Sequence, residues 1–562
     1  MNRVVRGVAQ RIAIAAAIAA FVVGVRWGTD AAGGSDSSCY LNEARLFSRF
    51  TTHIELPLAA EAPWPRAAWT FTPAGHLPSP SRATAIVPMC PPGLPIVMAP
   101  LRWLHAELLV VPLLGALAVW LTFVLGRRLS DEPVVGAASA VLLACSPIFL
   151  YQIVQPMTDV PAAAWWLLVV VLAIGEERRP FAAGLAASMA ILTRPNLLPL
   201  ALVVGVYLAR LKPSRYEEDR AHRAAPDDEK RSEKASAERL DDTRSEKASA
   251  ERLDDTRSAK ASAERLGDAR SAKASAERSI VRFAAGLIPG GVVLALLNWR
   301  MYGSPVASGY GSAVDLFQLA NVMPNLERYV PWLWQTHTPI LALAFAAPFL
   351  VARRADAWLA LALAASVVLL YLPYHVFDDW WYIRFLLPAI PFLIALSVAT
   401  VAGAAQRVAG ATSSGAIAAV VVSAMGGLLG VWWVNTARDR HAFDLREWER
   451  HFVDAGRFAR DKLPSNAAVV TVKHSGSVHY YSQRPTVAWD TLDPGSLDRT
   501  LDFLRERGFV PMLLIDAEEE PSFRAKFAGA SAIGGLDWPP AARIARTVRV
   551  YDPADRAHYW NR

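Results

Sequence analysis

Charge is what this chain keeps out of its long segments. Acidic and basic residues make up 19% of it against 53% apolar residues, and they are almost missing from a series of apolar runs. Runs of about 18 or more apolar residues read as membrane helices, because only a helix satisfies every backbone group inside lipid. The runs lie near 12–27, 108–126, 134–150, 160–174, 182–211, 284–299, 338–352, 357–373, 385–404 and 414–434. They exclude a soluble protein and predict an α-helical polytopic membrane protein of about 11–12 spans. The absence of charge inside the runs also bears on function. A transporter places polar groups near the bilayer midplane, on broken helices, and no internal repeat relates two halves of the membrane region. The net charge of +7 is modest for the length and gives no reason to expect a nucleic-acid partner.

Cysteine is scarce, with three in the chain. Cys145 sits in an apolar run, where it packs. Cys39 and Cys90 fall in the first extramembrane loop, where they pair in an oxidising compartment and stay free thiols otherwise. The basic N-terminus, with Arg3, Arg6 and Arg11, has the look of a signal peptide, but the many later spans make an uncleaved first span the simpler account.

Loops with Lys and Arg stay on the cytoplasmic side. An inside N-terminus leaves residues 28–100 outside and brings the chain back in at Arg127-Arg128, at Arg178-Arg179, at Arg353-Arg354 and at Arg407. The 182–211 run is broken by Thr193-Arg194-Pro195-Asn196, since the residue before proline disfavours helix; Arg194 then lies at the outer side. Four regions follow: an N-terminal membrane region, 1–211, carrying the outer loop 28–100; a cytoplasmic insert, 212–279; a second membrane region, 280–437; and an outer domain, 438–562. The insert holds a 13-residue repeat, SEKASAERLDDTR at 232–244 and again at 245–257, then SAKASAERLGDAR at 258–270. It lacks large apolar residues, so it is disordered or a solvated helix.

In 438–562 the stretches 467–473, 510–516 and 543–551 read as strands and 495–508 as a helix, which makes a small α/β domain. It shows no nucleotide-binding glycine motif and no metal-ligand spacing. His474-Ser475-Gly476-Ser477 reads as a tight turn. Residues 312–334 read as an amphipathic helix lying flat on the outer surface.

The ionisable residues gather at the outer ends of the spans: Asp36, Glu43, Asp159, Arg194, His375, Asp378, Asp379 and Arg384. Trp64, Trp69, Tyr302, Tyr310, Trp332, Trp334, Trp380, Trp381 and Tyr382 fall in the same layer, as an interfacial belt does. Such a layer suits an enzyme whose substrate has a lipid tail and a polar head. Each residue also has a plainer reading. Asp36 and Asp159 are good helix caps, Arg384 can snorkel as an interfacial anchor, and Asp378-Asp379 suits a solvated loop.

Several pieces resemble one family. They are Asp36 with Tyr40 and Ala44, Pro91-Pro92-Gly93-Leu94-Pro95, Thr158-Asp159-Val160-Pro161, and Leu192-Thr193-Arg194-Pro195. Further along come 298–311 (NWRMYGSPVASGYG) and Arg384-Phe385-Leu386-Leu387-Pro388. In this order and topology the chain resembles, over roughly 1–435, the GT-C superfamily of integral membrane glycosyltransferases. The nearest group is the family 39-like one of protein mannosyltransferases and aminoarabinose transferases. That family often carries an acidic pair in the first loop, whereas here Asp36 is followed by Ser37, and nothing in the sequence requires a divalent metal.

The resemblance implies transfer of a sugar from a polyprenyl-phosphate carrier to an acceptor glycan, lipid or protein. It implies a bacterial inner or plasma membrane, with inversion at the anomeric carbon. Asp36 is the expected general base, Asp159 orients the acceptor or supports the base, and Arg194 and Arg384 clamp the phosphate. Tyr40, Tyr302, Tyr310 and His375 are candidate substrate contacts. Two other functions stay open on the sequence: a flippase for a lipid-linked glycan, and a non-catalytic scaffold. The scaffold would leave Asp36, Arg194 and Arg384 dispersed in space.

Overall fold

The structure, a computed structural model, describes residues 3–175, 177–210 and 248–560. The first repeat copy, 232–244, and Glu176 lie outside the described residues. The protein is a bundle of apolar helices capped at one end by a mixed α/β region. Six helices are long and apolar enough to cross a membrane. The pair Pro133–Cys145 and Pro147–Ile153, bent by 60°, makes one more candidate, and four further apolar helices have 10–17 residues. The bend falls at Ser146, held before a proline in extended backbone.

The break foreseen near Arg194 is present. Helix Pro180–Thr193 ends there, a 3₁₀ turn spans Pro195–Leu197, and Pro199–Ala209 follows. Gly184 and Gly286 let Pro180–Thr193 lie against the long helix Ala248–Tyr302: a Cβ on Gly286 would come within 2.3 Å of the Phe181 carbonyl. The end of the repeat insert, from Ala248, is continuous with that helix.

The helical stretch Ile390–Asp439 is a hairpin rather than one rod. Trp433 packs on His337 with ring centroids 5.0 Å apart, while Ser397 donates to the Leu341 carbonyl. As a straight helix, 397–433 would span about 54 Å, but the four residues from 337 to 341 reach at most about 14 Å. Two runs, Ile390–Ala409 and Gly415–Asp439, therefore lie antiparallel, with the turn near Arg407.

The helix ends sort by charge. Arg127, Arg128, Arg353, Arg354 and Arg407 share one end, where Arg353 pairs with Asp131 and Arg407 donates to the Phe349 carbonyl. The opposite end carries the first long loop and the C-terminal region. The loop holds helix Asp36–Ser48 and a three-stranded antiparallel sheet, β1 (Ile54–Glu55), β2 (His76–Pro78) and β3 (Ala85–Pro88), in the order β1-β3-β2.

The C-terminal sheet has five strands in the order β5-β4-β6-β8-β7: β4 (Ala467–Val470), β5 (Thr486–Val487), β6 (Val510–Asp516), β7 (Ala542–Ile544) and β8 (Val548–Tyr551). β4 pairs parallel with β5 and β6; the other pairings are antiparallel. The expected single strand over 543–551 is a hairpin instead. Ala545 turns the chain with a positive φ of 49°, a tight reversal that apolar patterning does not encode. The expected helix over 495–508 runs from Leu497 to Glu506.

The first loop and the C-terminal region share one core. Leu56, Trp64, Phe71 and Ile86 pack with Leu501, Phe503 and Phe523. Trp64 is 7% exposed and meets the Phe503 ring edge-on at 5.3 Å, so it is a core residue and not part of an interfacial belt.

Cys39 and Cys90 form a disulfide that ties the Asp36–Ser48 helix to the Pro91-Pro92 turn. Their sequence separation of 51 makes the constraint worth roughly 4 kcal/mol on the chain-entropy account. Cys39→Ser is expected to lower the thermal midpoint of the purified protein, and dithiothreitol is expected to lower the wild type to the same value.

Candidate active site

Both arginines expected to hold phosphate, and the expected base, line one cavity of about 670 Å³ at the loop-bearing end of the bundle. Asp36 is the first residue of its helix, yet its carboxylate does not cap it. Oδ2 accepts from Nη2 of Arg384 at 2.8 Å, with side chains 36% and 13% exposed. Arg384 comes from the 3₁₀ segment Trp380–Leu386, so residues 348 apart in sequence meet here. Its second terminal nitrogen lies 3.2 Å from the Met157 sulfur, and its Nε is buried without a hydrogen-bond partner among the described residues.

Arg194 is more deeply set. It pairs with Asp159, and the two side chains are 8% and 1% exposed. Nη1 donates to the Tyr371 hydroxyl at 2.9 Å and Nε to Thr158 Oγ1 at 3.4 Å. Asp159 opens helix Asp159–Ala173, and Thr158, one residue before it, also meets the Tyr40 hydroxyl at 3.1 Å. The Phe385 ring serves both cations, with its centroid 5.5 Å from Arg194 and 5.1 Å from Arg384. Burial works against charge on both guanidinium groups. The neighbours together more than offset it: Asp159 with Tyr371 at Arg194, and Asp159 with Asp36 at Arg384. The result is two cations side by side, each paired with one carboxylate.

The other sequence candidates sort themselves by place. Tyr40, Tyr302 and Tyr310 line the cavity. Burial, and then the Asp36 carboxylate, push the Tyr40 hydroxyl well above its usual range, so it stays protonated as a donor. Tyr302 donates to the Pro88 carbonyl at 2.8 Å and so pins the 298–311 segment against the Pro91-Pro92 turn. His375 is exposed, packs edge-on against Phe377 at 4.9 Å and stands outside the cavity lining. Asp378 is paired with Arg328 at 2.7 Å on the surface. Glu43 is 0% exposed, and burial pushes its carboxyl well above the usual range.

Thr158, Tyr371 and Phe385 emerge as site residues only here. Thr158 and Phe385 sat inside motifs noticed for their charged neighbours. Tyr371 ends the Arg354–Tyr371 helix and had no sequence mark beyond its aromatic ring.

No protein-family model matches the sequence, and no curated protein sequence matches it. Solved structures do. ArnT from Cupriavidus metallidurans in the apo state aligns with a TM-score of 0.53 at 13% identity, over 96% of this chain and 97% of that one. The same protein bound to undecaprenyl phosphate gives 0.52 at 14% identity over the same shares. The archaeal oligosaccharyltransferase AglB from Archaeoglobus fulgidus, in complex with an inhibitory peptide and a dolichol-phosphate, gives 0.47 at 12%, over 96% of this chain and 76% of that one. At these identities the likeness is one of architecture: the chain is a polytopic membrane protein with a GT-C-like fold.

Proposed function

We propose that this protein transfers a sugar from a polyprenyl-phosphate donor to an acceptor at the outer face of the membrane, with Asp36 as general base and inversion at the anomeric carbon. One observation carries the reading: a carboxylate and two guanidinium groups from three distant segments converge on one cavity at the ends of apolar helices. A scaffold has no need of that convergence. A flippase has no need of a base.

The chemistry follows from the charges. The acceptor hydroxyl attacks the anomeric carbon and gives its proton to Asp36. The carbon–oxygen bond to phosphate breaks, and its electron pair stays on the lipid phosphate. That leaving group gains negative charge, so it needs cations more than an acid, and guanidinium forks fit phosphate oxygens. Arg384 is the mobile clamp of the pair: its partner Asp36 is partly exposed, and turning Arg384 toward phosphate frees the Asp36 carboxylate to take a proton. Arg194, locked by Asp159 and Tyr371, is the fixed clamp. Asp159 acts in this scheme on the arginines, holding both in charge, rather than on the acceptor.

The outer placement rests on two features. The Cys39–Cys90 disulfide lies at the cavity end and suits an oxidising compartment. The arginine-rich turns lie at the other end, as cytoplasmic turns do. Undecaprenyl phosphate bound to the ArnT structure is in keeping with a lipid-phosphate ligand here.

The donor half of the proposal is tested without knowing the sugar. Polyprenyl phosphate added to the purified protein is expected to raise its thermal midpoint, since a ligand at 100 times its Kd stabilises by about 2.7 kcal/mol. Arg384→Gln is expected to lose most of that shift while melting near the wild type without lipid. An equal shift in both proteins would remove Arg384 from the phosphate site.

A further inference from the structure

A second set of ligating side chains lies outside the cavity lining, in the C-terminal domain. His451 is the second residue of helix Arg450–Asp461, His474 follows β4, and Asp516 ends β6. One ligand atom from each lies within 4.8 Å of the other two. The His474 and Asp516 side chains are 0% and 1% exposed, and Nε2 of the first is 3.1 Å from Oδ2 of the second. The two imidazole rings meet nearly perpendicular, centroids 5.2 Å apart.

We propose that His451, His474 and Asp516 form a binding site for a zinc-class divalent ion that clamps the Arg450–Asp461 helix to the C-terminal sheet. Four observations support it. Nε2 of His451 is buried with no hydrogen-bond partner among the described residues. Such an atom beside the His474–Asp516 pair asks for a ligand, since an orphan costs about 1–3 kcal/mol. Nδ1 of His451 lies 2.6 Å from the Trp448 carbonyl, so the proton sits there and the Nε2 lone pair faces the cluster; backbone carbonyls orient metal-binding imidazoles in this way.

The carboxylate is oriented too. Oδ1 of Asp516 accepts from the Glu518 amide at 3.1 Å and lies 3.6 Å from the Lys473 ammonium, which leaves Oδ2 for the histidines. Lys473 itself is drawn off by Glu518, at 2.7 Å. Two imidazoles and a carboxylate with a fourth position for water is a zinc-type donor set. Ligands held about 2.0–2.2 Å from one tetrahedral ion sit roughly 3.3 Å from each other, close to the His474–Asp516 separation.

The clamp has a consequence for the first loop. Phe452, beside His451, packs on the His474 ring at 4.9 Å and lies 3.0 Å from where a Cβ on Gly33 would stand. An ion that fixes His451 to His474 therefore fixes the surface on which the chain entering the Asp36 helix rests.

The test is a Co²⁺ titration of the full-length purified protein, prepared without a polyhistidine tag and followed by visible absorption. The expected result is uptake of one equivalent with the intense bands of a tetrahedral site, displaced by Zn²⁺. His451→Ala, on the partly exposed member of the set, is expected to weaken binding by at least 10-fold, with unchanged circular dichroism in the absence of metal. No saturable binding by the wild type, or equal binding by His451→Ala, would overturn the site and leave a plain hydrogen-bonded His474–Asp516 pair.

Discussion

Asp36→Asn is expected to leave the protein folded in the membrane and to abolish sugar transfer. The amide keeps the size of the side chain and removes the proton acceptor. A positioned general base contributes about 10²–10⁴-fold, so transfer of labelled sugar from lipid-phosphate donor to acceptor in membranes is expected to fall by at least two orders of magnitude. The fold has little at stake in this side chain. It is 36% exposed, so water reaches the carboxylate, and the asparagine amide oxygen can still accept from Arg384. Thermal midpoint and disulfide formation should therefore match the wild type. The loss should appear with saturating donor, because Arg194 and Arg384, the proposed clamps, are untouched. An Asp36→Asn protein with full transfer activity would end the assignment of Asp36 as the base.

Why Asp36 was visible in the sequence, and its pairing with Arg384 was not, follows from what each signal is made of. Asp36 is marked by its place, a lone acid just past an apolar run. The same logic marks Arg194, whose break at Thr193-Arg194-Pro195-Asn196 is a local event written in one proline. These are short-range features, and the structure keeps them. Pairing is long-range. Nothing near residue 36 says that Arg384 will come to it, and nothing near residue 159 says that its carboxylate will face Arg194 instead of capping its own helix. The fold reads the same way. Apolar runs gave the helices and the resemblance gave their order. The single core built from Trp64 of the first loop and Phe503 of the C-terminal region needed coordinates, because either residue alone looks like an ordinary aromatic. The His451, His474 and Asp516 cluster has no sequence spacing at all, since a helix, a strand end and a distant strand supply one residue each.

The largest expected effect on stability lies at Arg194 and Asp159. Asp159→Ala leaves a guanidinium at 8% exposure facing a hole where its carboxylate was. Breaking a buried pair from one side costs about 3–5 kcal/mol, because the remaining charge keeps its desolvation penalty and loses its compensation. The variant is expected to melt well below the wild type, or to fail to accumulate. A single variant of this kind cannot separate a structural pair from a functional one, and the double variant can. Asp159→Leu combined with Arg194→Met removes both charges and fills the space with apolar atoms, an exchange that is often neutral for buried pairs. Its thermal midpoint is expected to return most of the way to that of the wild type. Its transfer activity is not, because the proposed mechanism then loses its fixed phosphate clamp and leaves Arg384 alone to meet the charge on the leaving lipid phosphate. The two readouts should part: stability recovered, transfer still lost. Recovery of both would mean that Arg194 and Asp159 serve the fold only, and that the phosphate is held from the Arg384 side of Phe385 alone.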